Sequence, residues 1–149
     1  MKIVLHFVLT ALIGVAEATT FHVYSCPLSS TASSLSSSSN KDCSSSKRDL
    51  DYGISHTYLQ IESTCYDWGN WNYPRHLSCD DQALACCVQT STRQTSRTTS
   101  CPDRVGEFEV AWTNKGIRYG FLRWNCQRFT NRLSDFLTQC HQDASTAIG

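Results

Sequence analysis

"GEFEVAWTNKGIRYGFLRW", residues Gly106 to Trp124, is the stretch on which the architecture hinges. Phe108, Val110 and Trp112 alternate with Glu107 and Glu109, the period of a half-buried strand. Asn114-Lys115-Gly116 follows, and glycine suits the positive φ of a tight hairpin turn. Ile117 to Trp124 then reads as the return strand. A hairpin here commits the chain to an antiparallel sheet.

Two further strands precede it. "TFHVYSC", Thr20 to Cys26, alternates Phe21 and Val23 with His22 and Tyr24. "YGISHTYLQIES", Tyr52 to Ser63, sets Ser55, Thr57, Leu59 and Ile61 on one face. Ile54, His56, Tyr58 and Gln60 take the other, and its β-branched and aromatic residues favour a strand. Two helices complete the set. In "SCDDQALACCVQT" Ser78 and Asp81 make a capping box, with Leu84, Cys87 and Val88 as an apolar stripe. In "NCQRFTNRLSDFLTQCHQ" Asn125 is the cap, and Phe129, Leu133, Phe136, Leu137 and Cys140 form a stripe that must bury. The polar run Thr90 to Ser100 reads as a loop. The expected fold is α+β: a four-stranded antiparallel sheet with two helices, stapled by about four disulfides.

The N-terminus reads as an export signal. Lys2, the apolar run Ile3 to Val15 and Ala16-Glu17-Ala18 have the charge, length and small-residue site of a signal peptide, residues 1–18. Residues 19–48 hold the first strand and a serine-rich segment ending in Lys47-Arg48, a dibasic pair of the kind that processing proteases cut. Twelve of the 22 residues from Ser25 to Ser46 are serine, too few apolar groups to offset ordering, so disorder is expected there. Residues 49–149 are the disulfide-rich α+β domain.

The chain has nine cysteines, an odd number. Export favours a disulfide framework, and the spacing shows no C-x-x-C zinc pattern, so no metal or cofactor is expected. Eight are assigned to bridges: Cys26, Cys65, Cys79, Cys86, Cys87, Cys101, Cys126 and Cys140. Cys43, in the serine-rich segment, is left over. Adjacent helical Cys86 and Cys87 lie about 100° apart, so each is expected to bond a different neighbour.

Formal charge is zero, which gives no bulk field for nucleic acid or an anionic membrane. The acid-free basic run Lys115, Arg118, Arg123, Arg128 and Arg132 reads as a solvated face. No G-x-S-x-G, H-E-x-x-H or P-loop is present, so an enzyme is not expected. A ribonuclease-like alternative would pair His56 or His141 with Glu107 or Glu109, and use Arg118 or Arg123 on phosphate. "Tyr24-Ser25-Cys26" and "HTY", His56 to Tyr58, resemble short segments of fungal guanyl-specific ribonucleases. "CYDWGNWNYPRHLSC", Cys65 to Cys79, offers Trp68, Trp71 and Tyr73 for stacking on a carbohydrate. Large aromatics usually bury, so Trp68 and Trp71 are read as packing residues under a stapled loop.

Signal peptide, short mature chain, many cysteines and a serine-rich dibasic segment together resemble the small secreted cysteine-rich effectors of filamentous fungi. The sheet, helices and bridges are similar to the LARS family of avirulence effectors, whose W-R-x-R motif has "LRW", Leu122 to Trp124, as its counterpart here in reverse order. The resemblance implies a monomer secreted into the apoplast or taken into host cells. It implies non-enzymatic binding to a host plant protein, with possible recognition by a resistance protein, and suppression or triggering of immunity. The contact surface expected from the residues is the loop tip, with Trp71, Tyr73 and Arg75.

Overall fold

The computed structural model describes residues 17–27, 55–69, 73–79, 84, 86–95, 101–120, 125–140 and 143–149. The signal peptide, Cys43, the Lys47-Arg48 pair and Trp71 lie outside these residues, and so does the side chain of Cys101.

The class is α+β, with an antiparallel sheet. Five strands are described: β1 (Thr20–Pro27), β2 (Ser55–Ile61), β3 (Thr64–Asp67), β4 (Arg75–Ser78) and β5 (Val88–Gln94). They lie in the order β4-β3-β2-β1-β5. β1 pairs with β2 from Phe21↔Ile61 to Pro27↔Ser55, and on its other side with β5. β2 turns directly into β3 at Glu62 and Ser63, with Glu62 in the left-handed region at φ 52°. β3 pairs with β4 from Thr64↔Ser78 to Asp67↔Arg75. The first two strands are where their alternation puts them.

Residues 106–114 correct the expected hairpin. Val105–Asn114 is a helix, α1, entered through a 3-10 turn at Cys101–Arg104. Val105, Phe108 and Trp112 are its buried residues, spaced i, i+3, i+7, while Val110 is 60% exposed. The apparent period of two is a coincidence of sampling: Phe108 and Trp112 are i and i+4, one above the other on a helix face. Gly116 does have positive φ, at 64°, but it ends the helix, its N–H donating to the Thr113 carbonyl. Residues 117–119 belong to no strand, and 121–124 lie outside the described residues.

The strands that complete the sheet come instead from the cysteine-bounded aromatic segment (β3, β4) and from the supposed polar loop (β5). β5, "VQTSTRQ", is an edge strand with nearly every side chain exposed. A strand that buries neither face leaves no apolar alternation to read, and polar edges discourage pairing between chains. The helix expected from Ser78 to Thr90 is corrected at its two ends, while residues 80–83 and 85 lie outside the described residues. Ser78 ends β4, Leu84 and Cys87 form a turn closed by Cys87 N–H to the Leu84 carbonyl at 2.9 Å, and Val88 opens β5.

The C-terminal helix, α2 (Cys126–Gln139), is as expected. The Asn125 side chain accepts from the Arg128 N–H at 3.0 Å, and Phe129, Leu133, Phe136 and Leu137 are buried. Cys140, in the left-handed conformation at φ 50°, ends it. A short helix, α3 (Ala144–Ile148), capped by Asp143, folds back with Ala144, Ala147 and Ile148 inward. The three helices cover one face of the sheet. Their core joins Phe21, Val23, Leu59, Ile61 and Trp68 to Phe108, Trp112, Phe129 and Phe136.

The opposite face carries a smaller cluster of Cys26, Tyr58, Cys65, Cys79 and Leu84. Cys65–Cys79 closes the β3–β4 hairpin, and Cys26–Cys87 joins β1 to the chain entering β5. Cys86 and Cys140 are also disulfide-bonded, so the adjacent Cys86 and Cys87 do go to different partners. Cys126 is the exception, a buried free thiol.

Candidate functional site

The free thiol corrects the assignment of Cys126 to a bridge, and its surroundings show what it does instead. β1 ends, β2 begins, β3 ends and β4 begins at the same end of the sheet, as the pairs Pro27↔Ser55 and Asp67↔Arg75 require. The N-terminus of α2 arrives there too. Thr130 Oγ1 donates to the Thr57 carbonyl at 3.4 Å and Thr57 Oγ1 to Gln127 Oε1 at 3.1 Å, pinning the first turn of α2 to β2. His56 on β2, Asp67 on β3 and Cys126 on α2 thereby meet.

His56 Nε2 lies 2.9 Å from Asp67 Oδ2. The same oxygen accepts from Arg75 Nη2 at 3.1 Å. Asp67 is fully buried, and its Oδ1 has no hydrogen-bond partner within the protein. The Cys126 thiol lies close enough to the imidazole for each to shift the other's protonation. The Tyr58 ring stands edge-on to the imidazole, centroids 4.7 Å apart, and blocks ring rotation.

Electrostatics set the protonation states. Burial alone would lower the His56 pKa, but the bond to Asp67, then the bond to and charge of Cys126, hold it up at about 9. Burial pushes the Cys126 thiol up. The hydrogen bond and charge of His56, with hydrogen bonds from Thr57, outweigh this and bring it below its ordinary value. Cys126 is also the first residue of a 14-residue helix, where the dipole favours an anion. The two shifts, His56 up and Cys126 down, both favour the imidazolium–thiolate form of the pair over the neutral one.

These groups stand in a row rather than around a common point. Among the described residues no three His, Cys, Asp or Glu side chains form a metal-holding group. A nucleophile, a base touching it and an acid orienting the base are the three parts of a catalytic triad.

The other expected site residues fall elsewhere. Tyr73 is 61% exposed at the loop tip. Arg75, its side chain 30% exposed, donates to the buried Asp67 at 3.1 Å. Trp68 is core, its ring 5.2 Å from that of Trp112. Of the ribonuclease-like set, Glu107 pairs with Arg104, Glu109 sits 3.8 Å from His76, and Arg118 is exposed, so none of them meets His56. Arg123 and His141 lie outside the described residues. No family model, curated protein or solved structure matches the chain.

Two signals of the site are present in the sequence. The odd cysteine count requires one thiol outside the bridges, and Cys126 directly follows a helix-capping asparagine, where thiolates are favoured. That His56 and Asp67, eleven residues apart, face each other depends on the β2–β3 register, which the sequence alone does not display.

Proposed function

We propose that this chain is a thiol-dependent acyl hydrolase or acyltransferase, with Cys126 as nucleophile, His56 as acid and base, and Asp67 as the residue that orients His56. The observation that carries the reading is the 2.9 Å His56–Asp67 contact beside Cys126, a buried free thiol among the otherwise disulfide-bonded cysteines of the described residues. The Cys126 thiolate attacks the carbonyl carbon of an ester or amide, and the π pair moves to oxygen. On collapse of that intermediate the leaving group departs with the His56 proton, and Cys126 holds the acyl group as a thioester. His56, now neutral, takes a proton from water or an acceptor alcohol or amine, which attacks the thioester and releases the thiolate. Arg75 holds Asp67 in place through its 3.1 Å contact to Oδ2. The disulfides fit an extracellular protein, in keeping with the expected export.

Release of p-nitrophenolate from p-nitrophenyl acetate tests this, alongside iodoacetamide alkylation of the disulfide-intact protein. The expected result is an acylation burst lost in Cys126→Ser, and an alkylation inflection well below that of an ordinary thiol. His56→Ala should return the inflection to the ordinary range. An unreactive Cys126, or an ordinary inflection in the wild type, would overturn the proposal.

A second reading, non-enzymatic effector action through contact with a host plant protein, is supported by the exposed Tyr73 on the loop closed by Cys65–Cys79. Host-response activity that survives Cys126→Ser but fails in Tyr73→Ala favours it.

A further inference from the structure

Away from the thiol, α1 and the start of α3 leave an open groove of about 780 Å³ between them, within the size range of small-molecule sites. None of its lining residues belongs to β2, β3 or α2, the elements that carry His56, Asp67 and Cys126. Its floor is apolar, made by Val110, Ala111 and Ala144. Val110 is one of three large apolar side chains left exposed among the described residues, so uncovered apolar surface lies where the groove is.

Two positions of α1 disfavour a helix and suit a groove. Val110 is β-branched, and Gly106, in the first turn, is the weakest helix former after proline. Neither strain nor crowding requires that glycine. Its φ is not positive, and a Cβ built there meets nothing within 4 Å. Gly106 stands one turn before Val110 on the same face, so a side chain there would project into the groove. Without one, the groove stays open.

Charge selects the ligand. Glu107 accepts from Arg104 Nη2 at 2.8 Å, and Asp143 Oδ1 accepts from the Ser145 N–H at 3.1 Å, so both carboxylates on the groove already have donors. Lys115, at the far end of α1, has no ion pair or side-chain hydrogen bond among the described residues. Asn114 lines the groove beside it. An unpaired ammonium thus stands at one end of an apolar floor.

We propose that this groove binds an amphipathic monocarboxylate, of the class of a medium-chain fatty acid. The chain lies over Val110, Ala111 and Ala144, which takes apolar surface of both ligand and protein out of water. The carboxylate meets the Lys115 ammonium and the Asn114 side-chain N–H, which fixes the head toward the C-terminal end of α1. The site is separate from Cys126 and does not depend on the chemistry proposed there.

The test is calorimetric titration of the disulfide-intact protein with sodium decanoate below its micelle concentration, and with protonated decylamine as the cationic counterpart. Decanoate should bind saturably and one to one, and decylamine about tenfold more weakly or worse. Lys115→Glu should weaken decanoate binding by about tenfold, and Gly106→Leu should abolish it by filling the groove. Both positions are exposed, so neither variant should lower the urea midpoint. Absence of saturable binding to the wild type, decylamine binding as tightly as decanoate, or either variant binding decanoate like the wild type overturns the site. The comparison of the two amphiphiles on the wild type stands whatever the variants do to the fold.

Discussion

Between the sheet and the helices, Phe108, Trp112, Phe129 and Phe136 pack ring on ring, with centroids 5.1–5.8 Å apart. At the end of the same sheet, His56, Asp67 and Cys126 are also buried, with Arg75 half-buried beside them, but they hold one another by charge. The first region gains free energy from each apolar group it buries, about 25 cal/mol per Å². The second spends it, because each buried ion gives up hydration and recovers it only through partners. The apolar core and bridges such as Cys65–Cys79, worth about 2–4 kcal/mol each, offset that cost. A domain can carry a buried ion row when the stability is supplied elsewhere.

The largest effect that would break this comparison is in the core. Phe136 is 1% exposed. Removing such a ring costs ~3–5 kcal/mol, and a carboxylate in its place adds desolvation, against a total stability of about 5–15 kcal/mol. Phe136→Asp should prevent folding, read as loss of the cooperative urea transition of the wild type. An unchanged transition would show that the helix face does not stabilise the domain.

A middle-sized effect comes from the ion row. His56 has its folded pKa raised to about 9 from 6.5, so alone it stabilises the fold fully below pH 6.5 and loses that contribution as pH rises through 9. Cys126, lowered from its ordinary 9, contributes in the opposite sense, present above pH 9 and lost as pH falls through its folded value. Above pH 6.5, once the folded thiol has ionised, and up to about pH 9, imidazolium plus thiolate holds one proton. Unfolded imidazole plus thiol also holds one. The two slopes cancel, and urea midpoints should be level across that window. Cys126→Ser removes one side of the balance. Its stability should then fall with rising pH, by at most about 1.4 kcal/mol per pH unit. A level profile in that variant would mean that His56 carries no proton in the fold.

The smallest effect sharpens where the two regions meet. Asn125 caps α2 immediately before Cys126. Asn125→Ala should cost about 1 kcal/mol in thermal or urea unfolding. It should also raise the alkylation inflection slightly, because the helix end that faces the thiolate frays. A stability loss with no change in the inflection would separate the cap from the site.

Much of the helix side was legible. The stripe of α2 is long, periodic and one-sided, so burial of that face has only one solution, and Asn125 marks its start. β1 and β2 were legible because Phe21 and Val23 alternate with polar residues in the one, and β-branched and aromatic residues crowd the other. α1 was not. Phe108, Val110 and Trp112 satisfy a period of two and a helical repeat alike, and only the exposure of Val110 separates them. β3, β4 and β5 are short or polar, so their place follows from β-ladder partners distant in sequence, as in Val23↔Ser91.

By itself the sequence determined an α+β class, a disulfide-rich chain, the capped C-terminal helix and an odd thiol. Each of these follows from local periodicity or from parity. Tertiary structure alone decided which thiol is odd, and what it faces. Cys126, His56 and Asp67 sit on three elements, separated by 11 residues within the hairpin and 70 between His56 and Cys126. Their meeting is fixed by strand register and by the docking of α2 on β2, and both are properties of packed surfaces rather than of any one segment.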